Sequence, residues 1–528
     1  MNTDEKKDIM NARIAGRDET ATQVLKNSTL PEVQPPKDGG DVASIASTQT
    51  EPREHNDSTE PPSKGQRLLH IFKGPTDDTD PIQYSARKKG MILFIISVAG
   101  GMSPIASTIY YPSLAQVRED FDTTETAVNA SVSTFVFLTA FFPLFWATWS
   151  EVHGRRRVYL VSFALSVIGS VLCGLSRHIA MLIVFRGLSA AGTSSVMSMG
   201  AGSLSDVFEA HERGRAYSWY VLGPILGPAI GPIIGGYLTE AFGWQSVFWF
   251  LALLIFGVWC MIFFFLPETF RKSEKPVSDL NMAEEGKQTE EKKRRKCVRG
   301  INPLGPLVLL RYPNVTLPCL YIGLIFGVYY LLNTTFTWSF SQTYGLDSGL
   351  VGACYIPNAV GGVVGGNFGG RISDYIYNRN VAKARIAGKP VTPEMRLSMM
   401  VLVPAAFLLA ASLVAYGWTV YYEVHYAVPI VMTFSATLGV MLPHVTFNAY
   451  LVDCHRRKGA SVTACNNLSR YLFSGVCCLL ASDFVNALGN GVLYSGCAIL
   501  ILLFGLPIFY VKANPNKWHS MREKLEKQ

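Results

Sequence analysis

The chain has 528 residues, 49% of them hydrophobic and only 16% charged. Soluble proteins average about 25% charged residues, so this deficit excludes an ordinary aqueous domain. The remaining charge is clustered between apolar runs that reach the ~20 residues a bilayer-spanning helix needs. The net charge of +8 follows the distribution of loops and does not point to a nucleic-acid partner. The ten cysteines sit mostly inside apolar runs without metal-ligand spacing, which reads as small packing residues and no metal site.

Residues 1–88 are polar, rich in Ser, Thr, Pro, Asp, Glu and Lys, and lack periodicity, so a disordered tail is expected. No cleavable leader pattern precedes the first apolar run near Met91, which would itself direct insertion. Within residues 89–266, six apolar segments follow at about 91–113, 127–149, 158–176, 180–203, 216–238 and 246–266. A polar link, residues 267–312, contains the mixed-charge run Glu290 to Lys296. Residues 313–511 hold six more segments, at about 315–340, 349–370, 398–416, 427–451, 461–481 and 491–511, and a basic tail, 512–528, closes the chain. These segments are spans 1 to 12 below.

One set of loops carries Arg155, Arg156 and Arg157, then Arg213 and Arg215, the central basic run, Arg371, Arg379, Lys383 and Arg385, then Arg456, Arg457, Lys458 and Lys512. The other set carries only Arg118 and Arg177. The positive-inside rule places the first set, both termini and the central link in the cytoplasm. An even number of spans is then required. The expected fold is an all-α membrane protein of twelve transmembrane helices in two six-helix halves, with the lipid bilayer as its first partner. Trp418, Tyr421, Tyr422 and Tyr426 cluster at the opposite face, as an interfacial belt would.

Span 1 has no acid between Met91 and Pro112 and ends with Tyr110 and Tyr111, suited either to a belt or to a cavity. After span 2 comes Glu151, Gly154, Arg155 and Arg156; after span 8 comes Gly370, Asp374 and Arg379. An acid at a helix end followed by basic residues, at the same place in each half, argues for duplicated halves, a common transporter plan. Arg186 lies in span 4, roughly 12 Å along the helix. A charge within a span is expensive and by default functional, here in proton release or in attracting an anionic group, with a structural hydrogen-bond hub as the alternative.

Span 5 contains G-P-I-L-G-P-A-I-G-P-I-I-G-G, Gly223 to Gly236. Gly227, Gly231 and Gly235 recur every four residues and leave a strip without side chains for close approach of another helix. Pro224, Pro228 and Pro232 add candidate kinks.

In span 7, Tyr329, Asn333, Phe336 and Phe340 share one helix face, suited to an amphipathic organic substrate or to helix packing. His444 in span 10 is the deepest titratable group, and histidine changes charge near physiological pH. Asp453 lies near the end of that span. Asn466, Asn467 and Arg470 form a polar stripe in span 11, as cavity or gate lining or as interhelical ties.

The chain resembles the major facilitator superfamily, and within it the fungal twelve-span drug:proton antiporters, over about residues 80–511. The span 5 run is similar to that family's motif G-x3-G-P-x2-G-G at Gly227, Gly231, Pro232, Gly235 and Gly236; Ser218 stands where an earlier glycine is usual. The loop after span 2 resembles G-x-x-x-D-R-x-G-R-R at Gly154, Arg155 and Arg156, with Ala147, Glu151 and Val152 departing; Gly370 and Asp374 match the second copy. Arg186 and Gly192 match the span 4 signature, while Ser189 and Ala190 depart. Glu212 to Arg215, Gly243 to Trp249, Leu266 to Thr269, Asn448 to Asp453 and Ala460 to Arg470 also look like fungal members.

The resemblance implies a secondary transporter that exports small organic molecules (drug-like, polyamine or organic acid) by proton antiport through alternating access. It implies no enzyme activity and no cofactor beyond the proton gradient. The expected protein is a monomer in the plasma membrane, with the vacuolar membrane as the alternative location. Glu151, braced by Arg155 or Arg156, is expected to latch the outward-facing state against the start of span 11, with Gly154, Gly370 and Asp374 in the same gating loops. Many relatives carry an acid in span 1; Ser103 stands there here, so coupling falls to Arg186, His444, Asp453 or a helix end. A nutrient importer or uniporter of the same fold is the nearest rival, disfavoured by the span 5 motif. An ATP-driven pump is disfavoured by the lack of a G-x-x-x-x-G-K-[ST] loop. A non-transporting sensor would need signalling domains that the polar segments do not resemble.

Overall fold

The computed structural model describes residues 80–209, 212–270, 305–388, 390–454, 459–518 and 520. Residues 1–79 of the N-terminal tail, the Glu290 to Lys296 run and the Arg456 to Lys458 loop lie outside the described residues, while Ala86 to Lys88 of the expected tail already belong to span 1.

The spans form the twelve expected helices. Span 1 is Ala86–Thr108, continued by a turn at Tyr111–Ser113 and a short helix Leu114–Asp120. Spans 2 and 3 are Glu125–His153 and Arg155–Gly174. Span 4 is Ile179–Thr193 with Ser195–Val207, span 5 is Arg213–Phe242 and span 6 is Gln245–Phe265. In the second half span 7 is Pro313–Gln342, span 8 is Ser348–Cys354 with Ile356–Ile386, and span 9 is Met399–Tyr421. Spans 10, 11 and 12 are Ala427–Cys454, Gly459–Leu479 and Ala481–Ala513.

Eleven of these helices are long and apolar enough to cross a membrane by composition alone. Span 11 is the exception: its 21 residues include Asn466, Asn467 and Arg470, and span 2 and span 7 pack along it, shielding that polar stripe from lipid.

Local chemistry fixes the ends. Ser85 Oγ accepts from Lys88 N at 3.4 Å and Thr124 Oγ1 accepts from Ala127 N at 3.3 Å, capping spans 1 and 2. Gly154 (φ 91°) and Gly243 (φ 80°) end spans 2 and 5 in a conformation that favours glycine. The prolines of span 5 do not break it: Arg213–Phe242 runs as one helix. Span 8 extends well past the expected residue 370, because its basic, amphipathic end stays helical to Ile386. Span 12 starts ten residues before the expected 491 and carries a kink at Gly489 (φ 73°).

Within the halves, span 1 packs along span 5, span 7 along span 11 and span 8 along span 10. Between the halves, span 2 lies against span 11 and span 5 against span 8. Because the helices alternate in direction, the start of span 1 and the end of span 12 share one face, here the terminal face; the opposite end is the far face.

Candidate transport pathway

The glycine strip of span 5 has two distinct partners. Gly223, Gly227, Gly231 and Gly235 face span 1: a Cβ on Gly227 would stand 2.8 Å from Pro104 Cβ, and one on Gly235 would meet Ile109 O. Gly236 points the other way, into the second half. A Cβ there would lie 2.5 Å from Ser348 O and 3.1 Å from Gly352 Cα, while a Cβ on Gly352 would meet Pro232 O. Two helices from opposite halves thus cross backbone to backbone at Gly236 and Gly352 on the far face, with the Glu240 and Tyr237 side chains lying against Gly349. The close approach is permitted only because Gly236, Gly349 and Gly352 lack side chains.

Hydrogen bonds complete this seal. Buried Asn129 of span 2 donates to Ser482 Oγ of span 12 at 2.9 Å and accepts from Trp338 Nε1 of span 7 at 3.1 Å. Thr126 Oγ1 donates to Asp483 Oδ1 at 2.9 Å, Gln342 Nε2 to Glu125 Oε1 at 2.8 Å, and Ser133 Oγ to Gly475 O at 2.7 Å. Toward the middle of the bundle, Val136 and Ala140 pack on Leu468 and Tyr471. Tyr110 and Tyr111 belong to this closed region and not to a belt. Tyr110 is fully buried, and Tyr111 stacks on Tyr355 of span 8 with centroids 6.1 Å apart. The belt reading fits Tyr421, Tyr422 and Tyr426, which are exposed.

On the terminal face each half has its own charge cluster. Arg155 Nε donates to Asp206 Oδ2 at 3.3 Å, its Nη1 to Ser150 Oγ at 2.6 Å, and its backbone N to Glu268 Oε1 at 2.8 Å. Arg156 Nη2 donates to Phe263 O at 2.6 Å. Neither arginine is shown bracing Glu151, which stands exposed; their acceptors come from Ser150 of span 2 and from the ends of spans 4 and 6. Burial acts against this reach to Glu151, because both guanidinium groups turn inward to acceptors that the helix ends present.

In the second half, Asp374 pairs with Arg396, not with Arg379, which is exposed. Arg396 Nη1 lies 2.7 Å from Asp374 Oδ1 and its Nε 2.9 Å from Asp453 Oδ2, with its guanidinium 4.6 Å from the Tyr377 ring centroid. Arg155 with Asp206 and Arg396 with Asp453 occupy matching places before spans 3 and 9 and at the ends of spans 4 and 10, so the duplication extends to the ion pairs. Gly370 lies beside span 10, where a Cβ would make ordinary contact with Val445 at 3.7 Å.

These pairs differ in exposure. The side chain of Asp374 is 64% exposed and that of Asp453 only 20%. Exposed pairs contribute about 0–1 kcal/mol, whereas breaking a buried pair costs several. Asp374→Asn should therefore cost under about 1 kcal/mol. Arg396→Ala, which removes the close pairing with Asp453, should cost about 2 kcal/mol or more. Thermal unfolding of the purified variants checks the order.

Among the described residues, the centre of the bundle holds two arginines and no carboxylate. Arg186 is 1% exposed. Its Nη1 donates to Ala106 O at 2.9 Å, and its guanidinium sits 4.6 Å from the Tyr110 and Phe135 centroids and 5.8 Å from Phe248. Its Nε and Nη2 have no hydrogen-bond partner.

Arg470, half-buried, lies about halfway along span 11. Its Nη2 donates to Tyr471 Oη at 2.8 Å and its Nη1 lies 3.4 Å from His444 Nε2. Arginine is always the donor here, so His444 Nε2 accepts and the ring proton belongs on Nδ1. His444 and Arg470, 26 residues apart, thus form one site. Asn466 is buried one turn away, with its Oδ1 unpartnered.

The span 7 residues tie helices together. Asn333 Nδ2 donates to Tyr329 O at 2.7 Å, its Oδ1 accepts from Asn358 Nδ2 at 2.7 Å, and Thr437 Oγ1 donates to Asn358 Oδ1. Tyr355 Oη donates to Asn333 O at 2.5 Å. Phe336 stacks on Phe340 with centroids 4.0 Å apart and meets Tyr355 edge-on at 4.7 Å. A small cleft there is lined by Leu332, Asn333, Phe336, Tyr355, Asn358 and Thr433. The sequence patterns do not mark Asn358, Tyr355, Asn129, Arg396 or Asp206, and they place Glu268 only within the Leu266 to Thr269 stretch. A lone amide in an apolar run was the available signal for Asn129 and Asn358.

Two helical halves, a sealed face between them and matched ion pairs in each half define a membrane transporter. A family model for the Major Facilitator Superfamily matches residues 96–477, and the chain belongs to that superfamily, whose members here are transporters and not enzymes. It is 35% identical to the MFS transporter cpaT of Aspergillus oryzae over 80% of this chain and 85% of that protein. It is 27% identical to the MFS antiporter QDR3 of Candida albicans over 82% and 79% of the two chains. Among solved structures, a bacterial homolog of the human lysosomal transporter Spinster, in its inward-facing and unoccupied conformation, superposes with a TM-score of 0.63 at 13% identity, over 82% of this chain and 99% of that one.

Proposed function

We propose that the protein exports small organic molecules in exchange for protons by alternating access, and that the described conformation is its inward-facing state. The observation that carries this reading is the far-face seal. Gly236 of the antiporter motif crosses Gly352 of the other half on backbone alone, while Glu151 at the terminal face is exposed. The basic loops assign the terminal face to the cytoplasm. Rocking the halves about the midplane then opens the far face by parting the Gly236–Gly352 crossing together with the hydrogen bonds around it.

Glu151 acts in the opposite state, latching span 2 to the start of span 11 when the terminal face closes. Glu151→Gln should enrich the inward-facing form, seen as less crosslinking across the terminal face. For coupling, Asp453 is committed to Arg396 in this state, and His444 is committed as an acceptor from Arg470. Proton exchange at His444 therefore accompanies a change in the Arg470 contact. Arg186 Nη1 donates to Ala106 O near the end of span 1 in this state, a contact free to change as the halves rock. The protein works as a monomer in the plasma membrane.

The test is transport by purified protein in liposomes with an imposed pH gradient, across cationic, neutral and anionic amphipathic compounds. Net movement against the proton gradient, collapsed by a protonophore, is expected; movement indifferent to the gradient would overturn proton antiport.

A further inference from the structure

We propose that the cluster of Arg470, His444 and the rings of Phe326 and Tyr471 seats the carboxylate of an amphipathic organic acid. This names the cargo class of the exporter above and rests on the reading that the two halves enclose a transport path.

Arg470 is a guanidinium in the middle of a span, without a counter-ion among the described residues. Spans 7 and 11 contain no Asp or Glu, and the one acid of span 10, Asp453 at its end, is bound to Arg396. A charge within a span is costly unless it is paired or serves function. Aromatic faces offset part of that cost: the guanidinium lies 4.8 Å from the Phe326 centroid and 4.5 Å from that of Tyr471. Its donors are not used up. Nε is buried without an acceptor, and Nη1 meets His444 Nε2 only at 3.4 Å. His444 Nδ1, which carries the ring proton in that arrangement, also lacks a partner.

Two sets of donors on neighbouring helices therefore lack a good acceptor. A carboxylate fits, since its planar pair of oxygens matches the arginine fork. The walls suit an organic body, with Phe326 edge-on to His444 at 4.8 Å and Tyr471 Oη donating to Met197 Sδ at 3.7 Å. Met197 belongs to span 4, so the seat spans both halves, and a bound molecule would bear on their separation. Arg186 does not offer the same seat. It is sealed at 1% exposure beneath Tyr110, Phe135 and Phe248, whereas Arg470 is half-buried.

The full-length protein in nanodiscs is assayed for binding of tritiated 4-phenylbutyrate, naphthalene-1-acetate and indole-3-butyrate, each beside its methyl ester and matching amine, with excess acetate as competitor. At least one acid should bind saturably and at least about tenfold more tightly than its ester and amine, because a donor set left unpaired penalises the analogue. Acetate, lacking an apolar body, should not displace it. Arg470→Gln should erase the acid-over-ester preference with ester affinity kept, and Arg470→Lys should restore part of it. His444→Phe, which removes the second donor, should weaken acid binding by several-fold.

No saturable acid binding, equal affinity for acid and ester, displacement by acetate, or an undiminished preference in Arg470→Gln would each overturn the proposal. The wild-type comparison alone is decisive if a variant fails to fold. Esters or amines exported on the pH gradient without acid preference would defeat the carboxylate seat but not the exporter. Arg470-dependent acid binding with no transport in liposomes would support the seat and defeat the exporter.

Discussion

Gly236→Ala should shift the protein away from the described conformation and toward one open at the far face. The added methyl would lie 2.5 Å from Ser348 O and 3.2 Å from Gly349 Cα, atoms of the opposite half that cannot rotate aside. Overpacking of this kind costs roughly 1–3 kcal/mol, and a difference of that size between two states moves their ratio by roughly 5- to 150-fold. The cost falls on the closed state alone, since the crossing helices part when the far face opens. Gly235→Ala makes the contrast. Its methyl would press on Ile109 within the same half, so both states suffer, stability falls and the balance between states stays put. Labelling of Ser482→Cys, buried in the seal, by a membrane-impermeant maleimide separates the two. Gly236→Ala should accelerate it and Gly235→Ala should not. Transport by Gly236→Ala should fall at least about tenfold if return through the closed state limits turnover.

Arg186→Met should lose transport without losing stability. The guanidinium gains one hydrogen bond and about 2 kcal/mol of cation–π attraction from its rings. Against this stand two buried donors without acceptors, each costing about 1–3 kcal/mol, and the penalty of desolvating a charge that no carboxylate compensates. Replacing such a charge by an apolar side chain of similar length is often neutral or stabilising by about 1–4 kcal/mol. The melting temperature should hold or rise while transport drops at least about tenfold, the mark of a residue retained for function at the expense of stability. A large loss of thermal stability would make Arg186 the structural hub of the competing reading.

The span count, the halves and the span 5 strip were legible because each is a local pattern: apolar run length, alternating loop charge, and glycine at every fourth residue. Span 11 shows the limit of composition. Its polar stripe lowers its hydropathy, and only neighbouring spans reveal it as an interior helix. The i, i+4 spacing placed Gly227, Gly231 and Gly235 on one face, but nothing local says that Gly236 faces Gly352 across the molecule. Likewise Glu151 and Arg155 are neighbours in sequence, yet Asp206 and Glu268 hold Arg155, and Asp374 pairs with Arg396 beyond its own loop. Helix ends from distant segments converge there, and charge pairing follows that convergence. His444 and Arg470 were each visible as a lone polar residue in an apolar span; that they touch depends on the register of span 10 against span 11.

Alternation about the far-face seal is tested directly by a crosslink across it. Thr126 and Asp483, on opposite halves, have side chains in hydrogen-bond contact at 2.9 Å. The double variant Thr126→Cys, Asp483→Cys, reconstituted in liposomes and joined by a short thiol crosslinker, should lose transport and regain it on reduction, with each single variant unaffected. Undiminished transport by the fully crosslinked protein would contradict the account.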